Sequence, residues 1–331
     1  MSGKTVNSAI LLLVIGNAMA ILSDVMIKML EPGAPVFQFA FVRSSLTLLF
    51  LLPLMKKLNR QHLFSGFKVH AIRAHVHLAG ILCMVVALSN LPLATANAMF
   101  YAAPILVMVL SAWFFREKLT PLSVIAVFSG FTGIVLILRP VEFNWAAIAA
   151  LVSALSLAIN AVMVRKLPKE QSTVHKLFLN YLLILPAAGA LALWEGASIE
   201  PELLLTAAGS ALFILCYNIT VLMAYRHVDA NQVTSAEYTG LIWAVAIGWI
   251  WFSEAPDLWF LAGSLMIIVP LVLLGLQHRR RSPARGFNPA NRDREADAAA
   301  QQAAEQAAYQ EDAEPRRQTS IAKVCGQSAS S

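Results

Sequence analysis

Between residues 6 and 277 the chain alternates long apolar runs with short polar breaks. A helix that crosses the hydrocarbon core of a bilayer needs about 20 predominantly apolar residues. Ten runs meet this: about 6–29, 36–55, 71–90, 93–114, 121–138, 144–165, 174–194, 203–225, 231–252 and 258–277. The breaks carry turn formers or charge, as in Glu31-Pro32-Gly33-Ala34-Pro35, Arg139-Pro140 and Glu200-Pro201-Glu202. Lipid offers backbone groups no hydrogen-bond partners, so each run must satisfy its own, and a helix does that. The predicted fold class is therefore all-α integral membrane, with ten transmembrane helices. The first run has a signal-peptide outline in Lys4, Ala9 to Ile15 and Ala18-Met19-Ala20. It continues apolar past Ala20, however, and so reads as a retained span.

A shift of 137 positions lays the first half of the chain on the second. It carries Ala87 onto Ala224, Tyr101 onto Tyr238, Glu117 onto Glu254, and Val25-Met26-Ile27-Lys28 onto Val162-Met163-Val164-Arg165. One constant offset over nearly half the chain marks a duplicated unit. The copies are expected at 6–138 and 144–277. Each holds five spans, an odd number, so the second copy enters the membrane from the opposite side. Such inverted repeats place a solute site near the midplane, where the halves meet. With the N-terminus inside, inside loops hold sixteen Lys and Arg and outside loops hold Lys28 and Arg139. The positive-inside rule then puts both termini in the cytoplasm. Residues 278–331 are polar and rich in Ala, Gln, Glu and Arg, and read as a disordered cytoplasmic tail.

Composition agrees. The 331 residues are 58% hydrophobic and 13% charged, where a soluble domain carries about 25% charged residues. A net charge of +6 would suggest nucleic acid in a soluble protein. Here the basic residues lie in short loops between apolar runs, so no nucleic-acid partner is expected. Cys83, Cys216 and Cys325 form no metal or disulfide pattern. There is no GxSxG, HExxH or P-loop, so no catalytic residue, metal or cofactor is expected.

Ionisable residues inside spans are costly and are functional candidates by default. Asp24 lies two-thirds along the first run and Arg43 seven residues into the second, so both fall in the outer half of the bilayer. They border a pathway, with Arg43 fitted to grip a substrate carboxylate through two parallel hydrogen bonds, or they tie two helices together as an ion pair. Glu237, beside Tyr238 in the ninth run, is a protonatable carboxylate suited to coupling, or else a neutral group bonded to backbone. Asn17, Asn97, Tyr101, Asn160, Asn180, Asn218 and Gln232 line a polar cavity or join helices by hydrogen bonds. His70, His75 and His77 match no zinc spacing and read as interfacial.

ALSNLPLATANAMFYAAPILVMVLSAWFFREKLT with SGFTGIVLILRP, and later SAEYTGLIWAVAIGWIWFSEAPD with AGSLMIIVP, resemble the two signatures of the drug/metabolite transporter superfamily with EamA-type repeats. Asp24, Lys28, Arg43, Arg73 and Glu117 stand where similar carriers have such residues. Glu237-Tyr238-Thr239 is most similar to the branch of S-adenosylmethionine and riboflavin carriers, and Pro270 departs from that family's glycine. The resemblance implies ten helices around a central cavity, alternating access and no ATP hydrolysis. The expected function is secondary transport of an amino-acid-, nucleoside- or flavin-like metabolite across the inner membrane, coupled to protons or exchange. An intramembrane lipid-modifying enzyme and a membrane sensor are the rival classes. The expected partners are that solute and the bilayer, with a homodimer left open.

Overall fold

The computed structural model describes residues 6–31, 33–53, 63–116, 119–138, 145–168, 171–224, 236 and 238–281. Among these residues the long elements are all helices. They are α1 (Val6–Lys28), α2 (Val36–Leu51), α3 (Phe67–Asn90), α4 (Leu93–Phe100), α5 (Ala102–Phe115), α6 (Pro121–Leu138), α7 (Trp145–Val164), α8 (Thr173–Glu195), α9 (Pro201–Ala224), α10 (Thr239–Phe252) and α11 (Leu258–Arg281). Seven segments are long and apolar enough to cross a membrane, Leu93–Phe115 counting as one. Val36–Leu51, Thr239–Phe252 and Leu258–Leu274 are shorter apolar helices. The ten expected runs thus each coincide with helix, and the chain is a multi-pass membrane protein. Glu117, Gln232, Glu237 and the tail after Arg281 lie outside the described residues.

The fourth run is broken where a single helix was expected. α4 stops at Phe100, and Tyr101 takes φ −67° and ψ −4° before α5 resumes. Pro104 supplies the reason. It has no N–H to give to the carbonyl four residues back, and its ring crowds that carbonyl. Pro186 and Pro270, by contrast, sit inside the continuous helices α8 and α11.

The offset of 137 is written into the backbone. α5 ends at Arg116 with φ 54°, and α10 ends at Ser253 with φ 56°. Left-handed conformations are uncommon outside glycine, yet these two fall at matching positions of the copies. Helix pairing repeats in the same way. The shift turns α1 into α7, α2 into α8 and α3 into α9. The α1–α9 packing accordingly has its image in α7–α3, and α2–α9 in α8–α3. α2 packs on its own image α8, and α4 on α10. Single contacts obey the same exchange. Lys28 lies over the Phe252 ring, 5.3 Å from its centroid, and Arg165 lies over Phe115 at 4.3 Å. On two occasions a residue meets its own image: the rings of Tyr101 and Tyr238 are 6.0 Å apart, and Ser129 Oγ donates to the Met266 carbonyl at 2.7 Å.

Small residues let these helices approach closely, as they must where lipid removes the usual hydrophobic drive for association. α7 buries Ala146, Ala147, Ala150, Ser153, Ala154 and Ala158, and Ser156 Oγ donates to the Val76 carbonyl of α3 at 2.6 Å. At the α6–α11 crossing the two backbones nearly touch: a Cβ placed on Gly133 would stand 2.5 Å from the Gly263 carbonyl oxygen, and the converse holds. Apolar side chains cover the outside. Trp113, Trp145, Trp194 and Leu258 are largely exposed, as residues facing lipid or its interface are expected to be.

At one end of the bundle an ion pair locks the halves together. Lys28 Nζ meets Glu254 Oε1 at 2.8 Å and donates to the Leu91 carbonyl at 2.7 Å. Glu254 Oε2 accepts from the Leu93 N–H at 2.7 Å. The same end holds α2 in place, because the Phe37 and Gln38 N–H groups at its start donate to the Glu195 carboxylate. Four amides at a helix start lack partners of their own, and Glu195 of α8 supplies an acceptor from across the bundle. A double-mutant cycle of Lys28→Met and Glu254→Gln, read by thermal unfolding in detergent, is expected to return a coupling of about 1–2 kcal/mol. Additive losses would show that the pair does not hold the halves.

Candidate functional site

Asp24 of α1 and Arg43 of α2, two helices that both pack on α9, are buried, 9% and 3% exposed. The spacing of their runs anticipated a neighbouring pair, and they do feel each other's charge. They do not close into a direct ion pair; among the described residues that contact belongs to Lys28 and Glu254. Neutral groups hold each charge instead. The Asn97 side chain of α4 lies beside the Asp24 carboxyl, and its Nδ2 donates to the Leu93 carbonyl one turn back at 3.1 Å. Arg43 Nε donates to Ser210 Oγ of α9 at 2.9 Å. Ser210 is in turn fixed by Ser23 of α1, whose hydroxyl donates to the Ser210 carbonyl at 3.0 Å and lies 2.8 Å from its Oγ.

The cluster extends to α3 and α8. The phenol of Tyr181 is within electrostatic range of Arg43. His77 packs against Tyr181, with ring centroids 5.7 Å apart and planes tilted by 58°, and Asn180 Nδ2 hydrogen-bonds His77 Nδ1. Six helices thus place opposite charges, two rings and several amide and hydroxyl groups in one buried region. Buried polar groups must be paired or they cost stability. Here the partners are mostly neutral and leave Asp24 and Arg43 without a direct ion pair, which is the arrangement a charged or dipolar solute would complete.

The other candidates separate. Asn17, on α1, donates to the Ala236 carbonyl at 3.0 Å and to Thr239 Oγ1 at 3.2 Å, and so clamps the residues on either side of position 237. Tyr101 and Tyr238 form the ring contact already described, and a Cβ on Gly240 would lie 2.4 Å from the Tyr101 hydroxyl. Asn160 and Asn218 turn back onto their own helices, donating to the Ser156 and Ile214 carbonyls at 3.0 and 2.8 Å. The three histidines diverge: His75 is exposed and bonds the Ala71 carbonyl, His70 is buried against Gln171, and His77 joins the cluster. Trp243 reaches the Val14 carbonyl at 3.1 Å.

Sequence reading missed Ser210, Ser23, Tyr181 and the role of His77. A lone serine in an apolar run carries no signal of its own, because serine also serves as a small residue at helix contacts.

Two stretches, 7–139 and 144–276, match the model of the EamA-like transporter family. A pseudopaline exporter of Pseudomonas aeruginosa is 24% identical over 275 residues, covering 81% of this chain and 95% of that protein. An S-adenosylmethionine uptake transporter of Rickettsia prowazekii is 25% identical, covering 79% and 90%. A riboflavin transporter of Rhizobium johnstonii is 27% identical, covering 85% and 95%. A solved crystal structure superposes with a TM-score of 0.53 at 19% identity, covering 84% of this chain and 98% of that one. At that identity the likeness concerns the fold.

Proposed function

The chain belongs to the EamA-like transporter family, and from that premise we propose that it is a secondary carrier of a small polar organic metabolite across the inner membrane. The observation that carries this is the buried cluster around Asp24 and Arg43, in which Arg43 is bonded to Ser210, Asn97 lies beside Asp24, and the two ionisable groups form no direct ion pair. An amino-acid-, nucleoside- or flavin-like solute fits such a lining, and the relatives named for S-adenosylmethionine, riboflavin and pseudopaline are small-metabolite transporters.

Transport proceeds by alternating access between two five-helix repeats, 6–138 and 144–277, of opposite orientation, with 278–331 outside the transport core. Support for the inversion comes from the residues that meet their own images. Tyr101–Tyr238 and Ser129–Met266 both lie near the middle of their runs. A two-fold axis through two mid-span points runs in the membrane plane, and rotation about such an axis turns one half upside down relative to the other. The excess of Lys and Arg at the end where α1 begins supports a cytoplasmic position for both termini.

Purified protein in liposomes is expected to accumulate or exchange radiolabelled S-adenosylmethionine, riboflavin or an amino acid. Failure across all three classes overturns the reading. Glu237, between the residues that Asn17 clamps, is the coupling carboxylate in this scheme. Glu237→Gln is expected to flatten the pH dependence of flux while leaving expression intact; retained pH dependence removes it from the mechanism.

A further inference from the structure

The exchange that relates the two halves also relates two buried cations, and it leaves one of them unanswered. The shift of 137 carries Arg43 onto Asn180 and Arg73 onto Ser210. The Arg43–Ser210 hydrogen bond therefore has, as its image, a meeting of Asn180 with Arg73. In the first place the atoms are joined at 2.9 Å. In the second they are not. Arg73 is 7% exposed, and its Nε and one terminal nitrogen have no partner. Asn180 is 2% exposed, and its Oδ1 has none either.

The surroundings make this unusual. Arg73 sits six residues into α3, about 9 Å from its start at 1.5 Å per residue. His70, His77 and Arg73 share one face of that helix, and Arg73 acts electrostatically on both histidines. His70 and His175 are fully buried, each with an Nδ1 that has no partner, and Lys176 acts on the same group. Among the described residues no carboxylate is recorded against Arg73. An arginine taken out of water without a counter-ion costs several kcal/mol, and its planar donors are shaped for a carboxylate or a phosphate.

We propose that Arg73, with His77 on the same face of α3 and Asn180 of α8 bonded to that histidine, forms a second anion-binding subsite that takes a carboxylate or phosphate group. It is the counterpart in the duplicated packing of the place held by Arg43 and Ser210. The anionic group has two sources: a free solute, or a lipid headgroup reaching in between α3 and α8, as basic pockets between membrane helices allow. Ile72, next to Arg73, is exposed on the outer surface. The subsite shares His77 and Asn180 with the cluster around Arg43, but its test uses binding alone and turns on Arg73, which that cluster does not contain.

The experiment is thermal unfolding of the purified full-length chain at constant ionic strength. Inorganic phosphate and acetate are titrated against chloride in one arm. Phosphatidylglycerol is compared with phosphatidylcholine in mixed micelles in the other. A ligand that binds the folded state raises the melting temperature with the logarithm of its concentration. The wild type is expected to respond and Arg73→Gln to respond at least tenfold more weakly. A response to phosphate or acetate identifies a free anion; a response to phosphatidylglycerol alone identifies a headgroup. Asn180→Asp covers the case in which Arg73→Gln does not fold. It places a carboxylate where the orphaned oxygen stands, so it is expected to raise the melting temperature without added anion and to abolish the titration. Equal behaviour of wild type and Asn180→Asp, or no response in either arm, overturns the subsite.

Discussion

Replacing Arg43 by Met is expected to weaken binding of the transported solute roughly 10- to 100-fold, with flux falling in proportion. The magnitude follows from the charge-assisted hydrogen bonds removed, about 1.5–3 kcal/mol. Nε is already committed to Ser210, so the terminal nitrogens are left to meet the solute. Arg43→Lys keeps the charge and loses the fork, and is expected to fall between wild type and Met. Ser210→Ala should cost less than either, since it only loosens the guanidinium. Arg43→Met also leaves Asp24 buried without its neighbouring cation. Adding Asp24→Asn is therefore expected to recover thermal stability without recovering binding. Titration of the solute against unfolding temperature separates the two effects. A Met variant that binds as tightly as wild type would take Arg43 out of the site.

The second large effect is steric. Gly133 and Gly263 allow α6 and α11 to cross with backbone nearly against backbone. Gly133→Val would push a side chain into the Gly263 carbonyl oxygen at 2.5 Å and toward Ile267 and Met266 at 3.1 Å. Backbone yields less readily than a side-chain tip, so the helices must separate. Overpacking of this kind typically costs about 1–3 kcal/mol, and a lowered unfolding temperature in detergent is the measurement. Gly263→Ala meets the same obstacle from the other side. Once one substitution has parted the helices the second has little left to disturb, so the double variant is expected to lose less than the two single losses together. Full additivity would mean that the two glycines do not share a contact.

Most of the scaffold was legible because lipid permits so few solutions. A run of apolar residues in a chain this poor in charge has to be a helix, and the ten runs each coincide with one. The duplication was legible as well, since Tyr101 and Tyr238 keep identity, and Lys28 and Arg165 keep charge, at one spacing. Asp24 and Arg43 stood out because a charge within a span is expensive. Less visible were the neutral residues that hold those charges. Ser210 and Ser23 look like spacers until the fold brings α1, α2 and α9 together. Asn160 and Asn218 show the opposite hazard: polar residues in a span whose amide hydrogens turn back onto the carbonyl one turn before. The interruption at Tyr101 was readable in principle from Pro104, but a hydropathy pattern does not register a missing N–H.

Tyr101 and Tyr238 touch each other across the two copies. An element that meets its own counterpart keeps that meeting unchanged when the copies trade shapes. In the proposed alternating-access cycle the tyrosine pair would be a stationary hub about which the rest of the bundle rocks. Spin labels on positions related by the shift of 137 would then hold one separation through a whole cycle, while labels on unrelated positions of the two copies would report two.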